Sequence, residues 1–222
     1  MYGDAVGKKT GRRATQSVGG TAGSPAGAAT CTAHAATASE GAADEVVVLY
    51  GKGSRVVGAA RRSEVRAHNL RHACVVVMVF NSAGELYVHR RTHTKDVYPG
   101  CYDVMAGGVL RAGEEPYEAA LREAAEELGV TGVELRPLLE TDYSDDRSRY
   151  RAFGFVTTYD GPIRWQPEEV MWGGWVSPEE LLDMVADSNL SFAPDTLALM
   201  QTWINDGSLW PFWLGNQPED AP

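Results

Sequence analysis

"GGVLRAGEEPYEAALREAAEELGV", residues 107–130, decides how the rest of this chain is read. Its second half reads as an ordinary helix with clear boundaries. Gly113 ends a loop, Pro116 falls in the first turn, and Glu114 and Glu115 suit the positive end of the helix dipole. Gly129 is placed to take the left-handed conformation just past the last turn. Glu123, Glu126 and Glu127 then stand at i, i+3 and i+4. At about 100° per residue they share an arc of roughly 100°. Like charges at these spacings repel and destabilise a helix by a few tenths of a kcal/mol per pair. Ala120, Ala124 and Leu128 form the adjoining stripe, whose small side chains let the helix lie close against a sheet. The acidic edge therefore borders a packed face.

Carboxylates converging beside a core call for a cation. Oxygen ligands alone favour Mg²⁺, or Mn²⁺ in its place, over zinc or copper. Magnesium keeps part of its water shell and recruits substrate phosphates as further ligands. Arg122, one residue before Glu123 and four before Glu126, can brace a glutamate by a charge-assisted hydrogen bond.

The stretch resembles the Nudix box, G-x5-E-x7-R-E-U-x-E-E-x-G-U with U a bulky aliphatic. Gly108, Glu114, Arg122, Glu123, Glu126, Glu127, Gly129 and Val130 each fall at the family's spacing, and Ala124 is smaller than the usual aliphatic. A solvated charged helix would have no need of two glycines and an arginine in this register. The likeness extends over about residues 44–206. "EVRAHNLRHACVVVMVFNSAGELYVHRRTHTKDVYPGCYDVMAGGV", "WVSPEEL" and "FAPDTLALM" look like the branch of the family closest to isopentenyl-diphosphate isomerase.

The rest of the chain suits that frame. It has 222 residues, 44% hydrophobic and 23% charged, enough for one domain plus a tail. A formal net charge of −10 with no long basic block argues against nucleic-acid or anionic-membrane partners. The apolar run "ACVVVMVF" (73–80) is too short to span a bilayer, which needs about 20 residues, and reads as a buried strand. Cys31, Cys74 and Cys101 are widely spaced and odd in number, which is no disulfide framework and no zinc motif. A reducing compartment, the cytoplasm, is the simple reading. Residues 1–43, rich in Gly, Ala, Ser and Thr, read as a disordered tail. An organellar transit peptide or a misplaced start codon stays open, since basic pairs at 8–9 and 12–13 precede any run of acids.

Order is expected from Asp44 on. "EVVVLY" and "SRVVGAA" read as strands, and "RRSEVRAHN" as a short helix capped by Ser63. "ELYVHRR" alternates as a strand. "GVELRPLLETDYS" and "RYRAFGFVTTY" can pair across "DDRS", and "VMWGGWV" is a further strand. "SPEELLDMVADS" is a helix with Ser177 at its N-cap and Pro178 at its first position, and "APDTLALMQTWIND" is the last helix. An aromatic tail covers 207–222. Strands outnumber helices without a pure βαβ pattern, so the expected fold is α/β, a mixed sheet with helices on both faces. The resemblance implies the same Nudix-type α/β/α sandwich.

The resemblance also implies an activity: Mg²⁺-dependent hydrolysis of a nucleoside diphosphate linked to another group X, or of a related organic pyrophosphate. Glu123, Glu126 and Glu127, with the Gly108 carbonyl, would be the metal ligands, and Arg122 would orient Glu123 or Glu126. Glu114 would be structural. The general base varies in the family, and Glu169 in "QPEEVMWGGW" is the candidate, although Trp172 stands where a companion acid often lies. Arg91 and Lys95 match diphosphate-binding positions of the isomerase-like branch. Isomerase chemistry needs a cysteine just before a Gly/Ser-His-Pro segment. This chain has Ala106-Gly107-Gly108-Val109 there, and His72 alone matches an isomerase metal ligand. A non-catalytic nucleotide-binding module is the third reading, and it normally lacks the box glutamates found here. The sequence leaves the substrate, and the choice between monomer and homodimer, open. The tryptophans at 172, 175, 203, 210 and 213 read as core or dimer packing before base stacking.

Overall fold

A computed structural model describes residues 43–52 and 55–213. Residues 1–42, where the tail and transit-peptide readings fall, and 214–222 of the aromatic tail lie outside the described residues. In chain order the elements are β1 (Val46–Tyr50), β2 (Val56–Arg61), α1 (Arg62–Ala67), β3 (His72–Phe80), β4 (Leu86–Arg91), β5 (Tyr102–Asp103), β6 (Ala106–Val109) and α2 (Pro116–Leu128). They continue as β7 (Arg136–Pro137), β8 (Thr141–Ser144), β9 (Arg149–Thr158), β10 (Val170–Val176), α3 (Pro178–Ala186), α4 (Pro194–Asn205) and α5 (Trp210–Trp213).

The apolar run of β3 is the spine of a ten-stranded mixed sheet. On one side it pairs in parallel with β9, from His72↔Tyr150 to Phe80↔Thr158. On the other it meets β1, β6 and β4 in turn, all antiparallel. β10 lies outside β4 and β2 outside β1, while β7 and β8 pair with the far side of β9. Successive side chains of a strand point to opposite faces, and β3 is buried on both. Ala73, Val75, Val77 and Val79 pack with Ala119, Ala120, Ala124 and Leu128 of α2. Val76, Met78 and Phe80 pack with Leu181 of α3 and with Leu199 and Trp203 of α4. The result is the expected α/β arrangement, with helices on both faces of a mixed sheet.

Gly154 makes room for the second layer. A Cβ there would run into the Trp203 ring, whose indole N–H donates to the Leu139 carbonyl at 2.7 Å. The aromatic stretch after α4 packs on the same layer. Leu209 is fully buried, and the rings of Phe212 and Trp213 lie 5.8 and 6.3 Å from that of Phe80.

Ser177 caps α3 as expected: its hydroxyl accepts from the Glu180 N–H at 3.2 Å while the Glu180 carboxylate returns to the Ser177 N–H at 2.9 Å. Ser63 does not cap α1. β2 stays paired with β1 as far as Arg61, opposite Val46, so the helix starts at Arg62 and Ser63 falls inside it. No helix among the described residues is long and apolar enough to cross a membrane.

Candidate active site

The site forms where α2 lies against β6. Ala119, Ala120 and Ala124 are fully buried, so nothing bulky holds the helix off the strand. Gly107 and Gly108 complete the close approach. A Cβ on Gly108 would lie 2.6 Å from the Glu123 carboxyl carbon, and one on Gly107 would meet the Val75 carbonyl. The Gly107 N–H donates to Glu127 Oε2 at 2.9 Å. Gly129 ends the helix in the left-handed conformation at φ 69°, as its position in the sequence predicts.

Arg122 answers the repulsion along the acidic edge. Its Nε and Nη2 donate to the two oxygens of Glu114 at 2.8 and 3.0 Å, a bidentate pair. Its Nη1 reaches Glu123 Oε1 at 2.7 Å and Glu126 Oε2 at 3.2 Å. Glu114 thus holds the arginine, and the arginine holds two acids. The side chains of Glu123 and Glu127 are only 12% and 5% exposed, whereas that of Glu126 is 50% exposed. Burial, reinforced by the Glu127 charge, pushes the Glu123 carboxyl up to about 7.

Two loops close the other side. The carbonyls at the C-terminal end of α2 accept from the 164–166 segment: Arg164 N–H to Leu128 at 2.9 Å and Gln166 N–H to Glu127 at 3.0 Å. These bonds satisfy orphan helix carbonyls and fix the approach of Glu169. The Thr92 N–H and hydroxyl bond the Glu169 and Glu168 carbonyls at 3.0 and 2.8 Å, so the loop carrying Lys95 is tied to the loop carrying Glu169. The Lys95 ammonium therefore lies between two acids. It is 3.4 Å from Glu127 Oε1 and forms an ion pair with Glu169. Burial and the nearby Arg91 charge pull Lys95 below the usual lysine range.

Arg91 is engaged by the protein itself. Its Nη1 donates to Asp103 at 3.1 Å, and its Nε and Nη2 donate to the Val97 carbonyl at 3.3 and 3.2 Å. Asp103 also accepts from the Thr196 hydroxyl at 2.7 Å and the Met105 N–H at 3.0 Å. Between α2, β6 and the two loops lies a cleft of about 390 Å³, whose walls include Gly107, Gly108, Glu123, Glu126, Glu127 and Glu169. A second pocket of about 80 Å³ shares Lys95, Gly107, Gly108, Val109 and Arg62 with it and is lined beyond them by Arg66 and Asp195. Arg62, Arg66 and Asp195 were not singled out from the sequence. Two arginines four apart were the one available signal, and the acids they face come from distant segments.

The donor set fits a divalent cation: oxygen ligands only, two buried carboxylates repelling each other, and a strand with no Cβ opposite them. The carboxylates are not drawn up around one point, since among the described residues no three acids, histidines or thiols stand together at metal-site spacing. Arg122 and Lys95 occupy their oxygens instead. His72 has a structural role. Its Nδ1 bonds the Leu70 carbonyl at 2.9 Å, its ring packs 5.8 Å from that of Tyr150, and burial lowers it to about 4. No tryptophan lines the cleft, and the ring of Trp172 rests 5.7 Å from Tyr102.

The model of the NUDIX domain matches residues 70–196, more than half of the chain. The chain belongs to the Nudix family. Among its relatives is the uncharacterized Nudix hydrolase orf19 of Rhodococcus erythropolis, 40% identical over 74% of this chain and 94% of that protein. The uncharacterized Nudix hydrolase YfcD of Escherichia coli is 35% identical over 73% of this chain and 88% of its own length. The crystal structure of DR0079 from Deinococcus radiodurans superposes with a TM-score of 0.61 at 29% identity, covering 72% of this chain and 99% of that one. This Nudix hydrolase thus has its fold and its enzyme class from its relatives. Nudix hydrolases generally use divalent metal cations.

Proposed function

We propose that this Nudix hydrolase cleaves the diphosphate linkage of a nucleoside diphosphate linked to X, or of a related organic pyrophosphate, by attack of water on phosphorus. The observation that carries the reading is the buried pair Glu123 and Glu127, side by side in a cleft whose opposite strand has no Cβ at Gly108. Glu123, Glu126, Glu127 and the Gly108 carbonyl would hold Mg²⁺, with Mn²⁺ the alternative. When bound, the cation offsets the charge that gathers on phosphoryl oxygens.

The chain's own groups divide the rest of the work. Arg122, anchored by Glu114, orients Glu123 and Glu126. Glu169, ion-paired with Lys95, takes the proton from the attacking water. Lys95 and Arg91 would meet the diphosphate, Lys95 as an ammonium now shared by Glu127 and Glu169 and Arg91 as a fixed charge paired with Asp103. The likeness to the isomerase branch enters only through these two cations. The segment at 106–109 supplies neither thiol nor imidazole.

The test is a screen, with products resolved by chromatography, with Mg²⁺ and with Mn²⁺ over nucleoside diphosphates, nucleoside diphosphates linked to sugars and dinucleotide polyphosphates, run beside isopentenyl diphosphate. The reading expects metal-dependent cleavage of the diphosphate bridge in at least one nucleotide class. Conversion of isopentenyl diphosphate to its allylic isomer would replace it.

A further inference from the structure

The pocket behind the cleft has a size and a lining that narrow the substrate. A cavity that admits benzene measures about 150 Å³, and pockets for drug-sized ligands span about 300–1,000 Å³. At about 80 Å³ this pocket excludes a nucleobase or a sugar ring and has room for a group the size of a phosphate. The 390 Å³ cleft beside it is where a nucleoside fits.

The lining favours an anion. Arg62 and Arg66 lie one turn apart on α1, and Asp96 holds them together at 3.4 and 3.0 Å. Neither is used up. Arg62 Nε is buried with no hydrogen-bond partner, and Arg62 makes only two long contacts, to Asp96 and, at 3.5 Å, to Glu45. Arg66 donates from Nε alone, so both of its Nη atoms lack a protein acceptor among the described residues. Lys95 lines the same pocket with a third set of donors. The acids facing these groups are engaged: Asp96 by the two arginines, Glu127 and Glu169 by Lys95 itself, Glu45 by Arg111 and Arg62, Asp103 by Arg91 and Thr196, and Asp195 by the Tyr150 hydroxyl at 2.9 Å. A buried donor without an acceptor, here Arg62 Nε, is costly, and a planar guanidinium fork, as at Arg66 with its two open Nη atoms, matches a phosphate oxygen pair. The unsatisfied donors thus call for an oxyanion.

Resting on the hydrolase reading above, we infer that Arg62, Arg66 and Lys95 form a subsite for an uncapped terminal phosphoryl group. The preferred substrates are then nucleoside di- or triphosphates with a free terminal phosphate, ahead of diphosphates capped by a sugar or a second nucleoside. Hydrolysis transfers one water across a P–O–P bridge, releasing phosphate from a diphosphate, and phosphate or pyrophosphate from a triphosphate.

Binding and turnover test this separately. Inorganic phosphate is titrated by calorimetry into the full chain in EDTA, so that the readout does not depend on metal or activity. Binding that weakens at least tenfold in Arg62→Met and in Arg66→Met, and is unchanged in the distant Arg151→Met, is the expected result. No binding by the wild type, or equal binding by all four proteins, overturns the subsite. In the second arm kcat/KM is measured for ADP and for ADP-ribose. The wild type should favour ADP, and Arg66→Met should lower that ratio at least tenfold. Preference for ADP-ribose, or an unchanged ratio, overturns the specificity. If neither nucleotide is cleaved while phosphate binds as expected, the fault lies with the nucleotide reading of the cleft and the anion subsite stands.

Discussion

The carboxylate of Glu123 occupies the space that a Cβ on Gly108 would take, its carboxyl carbon 2.6 Å from that point. Strand and helix are therefore fitted to each other through a missing side chain. Gly108→Ala should push Glu123 aside while the end of a flexible side chain absorbs most of the strain. We expect turnover and Mn²⁺ affinity to fall at least tenfold, with a stability cost of about 1–3 kcal/mol. Gly107→Ala differs, because its Cβ would meet the Val75 carbonyl and lie 3.0 Å from the Val76 Cα, which cannot move alone. That variant should lose stability first, as a thermal melt beside a metal titration will show.

Arg122 is the second point at which the acidic edge can be opened. Lysine keeps the charge but not the fork that grips both Glu114 oxygens while reaching Glu123 and Glu126. Arg122→Lys should lower kcat by about 10–100-fold, the usual effect of losing a group that orients metal ligands. Steady-state kinetics at saturating Mg²⁺ are the check. Wild-type kcat would remove the orienting role.

Glu169 is separated from the other acids by what its loss should leave intact. Glu169→Gln should lower kcat by about 10²–10⁴-fold, the range for a general base. Its Mn²⁺ affinity should stay within a factor of two of wild type. Loss of affinity in step with kcat would make Glu169 a ligand and leave the base unassigned.

Much of this site was legible in the chain. The helix, its ends and its carboxylate arc follow from 3.6-residue spacing with Pro116 and Gly129 as punctuation, and β3 follows from an unbroken apolar run. The family spacing located Gly108 and Arg122. The contacts that shape the site were not legible, because they join distant segments. Lys95 meets Glu127 across 32 residues, and Thr196 meets Asp103 across 93. Ser63 misled for a local reason: a capping residue type was present, but strand pairing ran past it to Arg61. Arg62, Arg66 and Asp195 become neighbours only once α1 and the start of α4 reach the same pocket.

His72 makes the fold acid-sensitive. Burial lowers it from 6.5 to about 4, so between those values the unfolded chain binds a proton that the folded one does not. Stability from this residue is complete above pH 6.5, falls as pH drops toward 4, and is lost below that. At about 1.4 kcal/mol per unit the total is roughly 3 kcal/mol. Denaturant titrations of wild type and His72→Gln at pH 7, 5 and 3.5 should show the difference between them change by that amount. Taking the difference cancels the contributions of Asp96 and Asp195. A gap independent of pH would contradict it.

The central claim is that the acidic edge of α2 grips a divalent cation, and the direct measurement is Mn²⁺ binding followed by electron paramagnetic resonance. Glu127→Gln keeps the shape of the side chain and an acceptor for the Gly107 N–H while removing the charge. The account predicts saturable binding by the wild type, at least tenfold weaker binding by Glu127→Gln, no turnover in that variant and an unchanged melting temperature. Equal Mn²⁺ affinity in the two proteins, or wild-type rates in the variant, would contradict it.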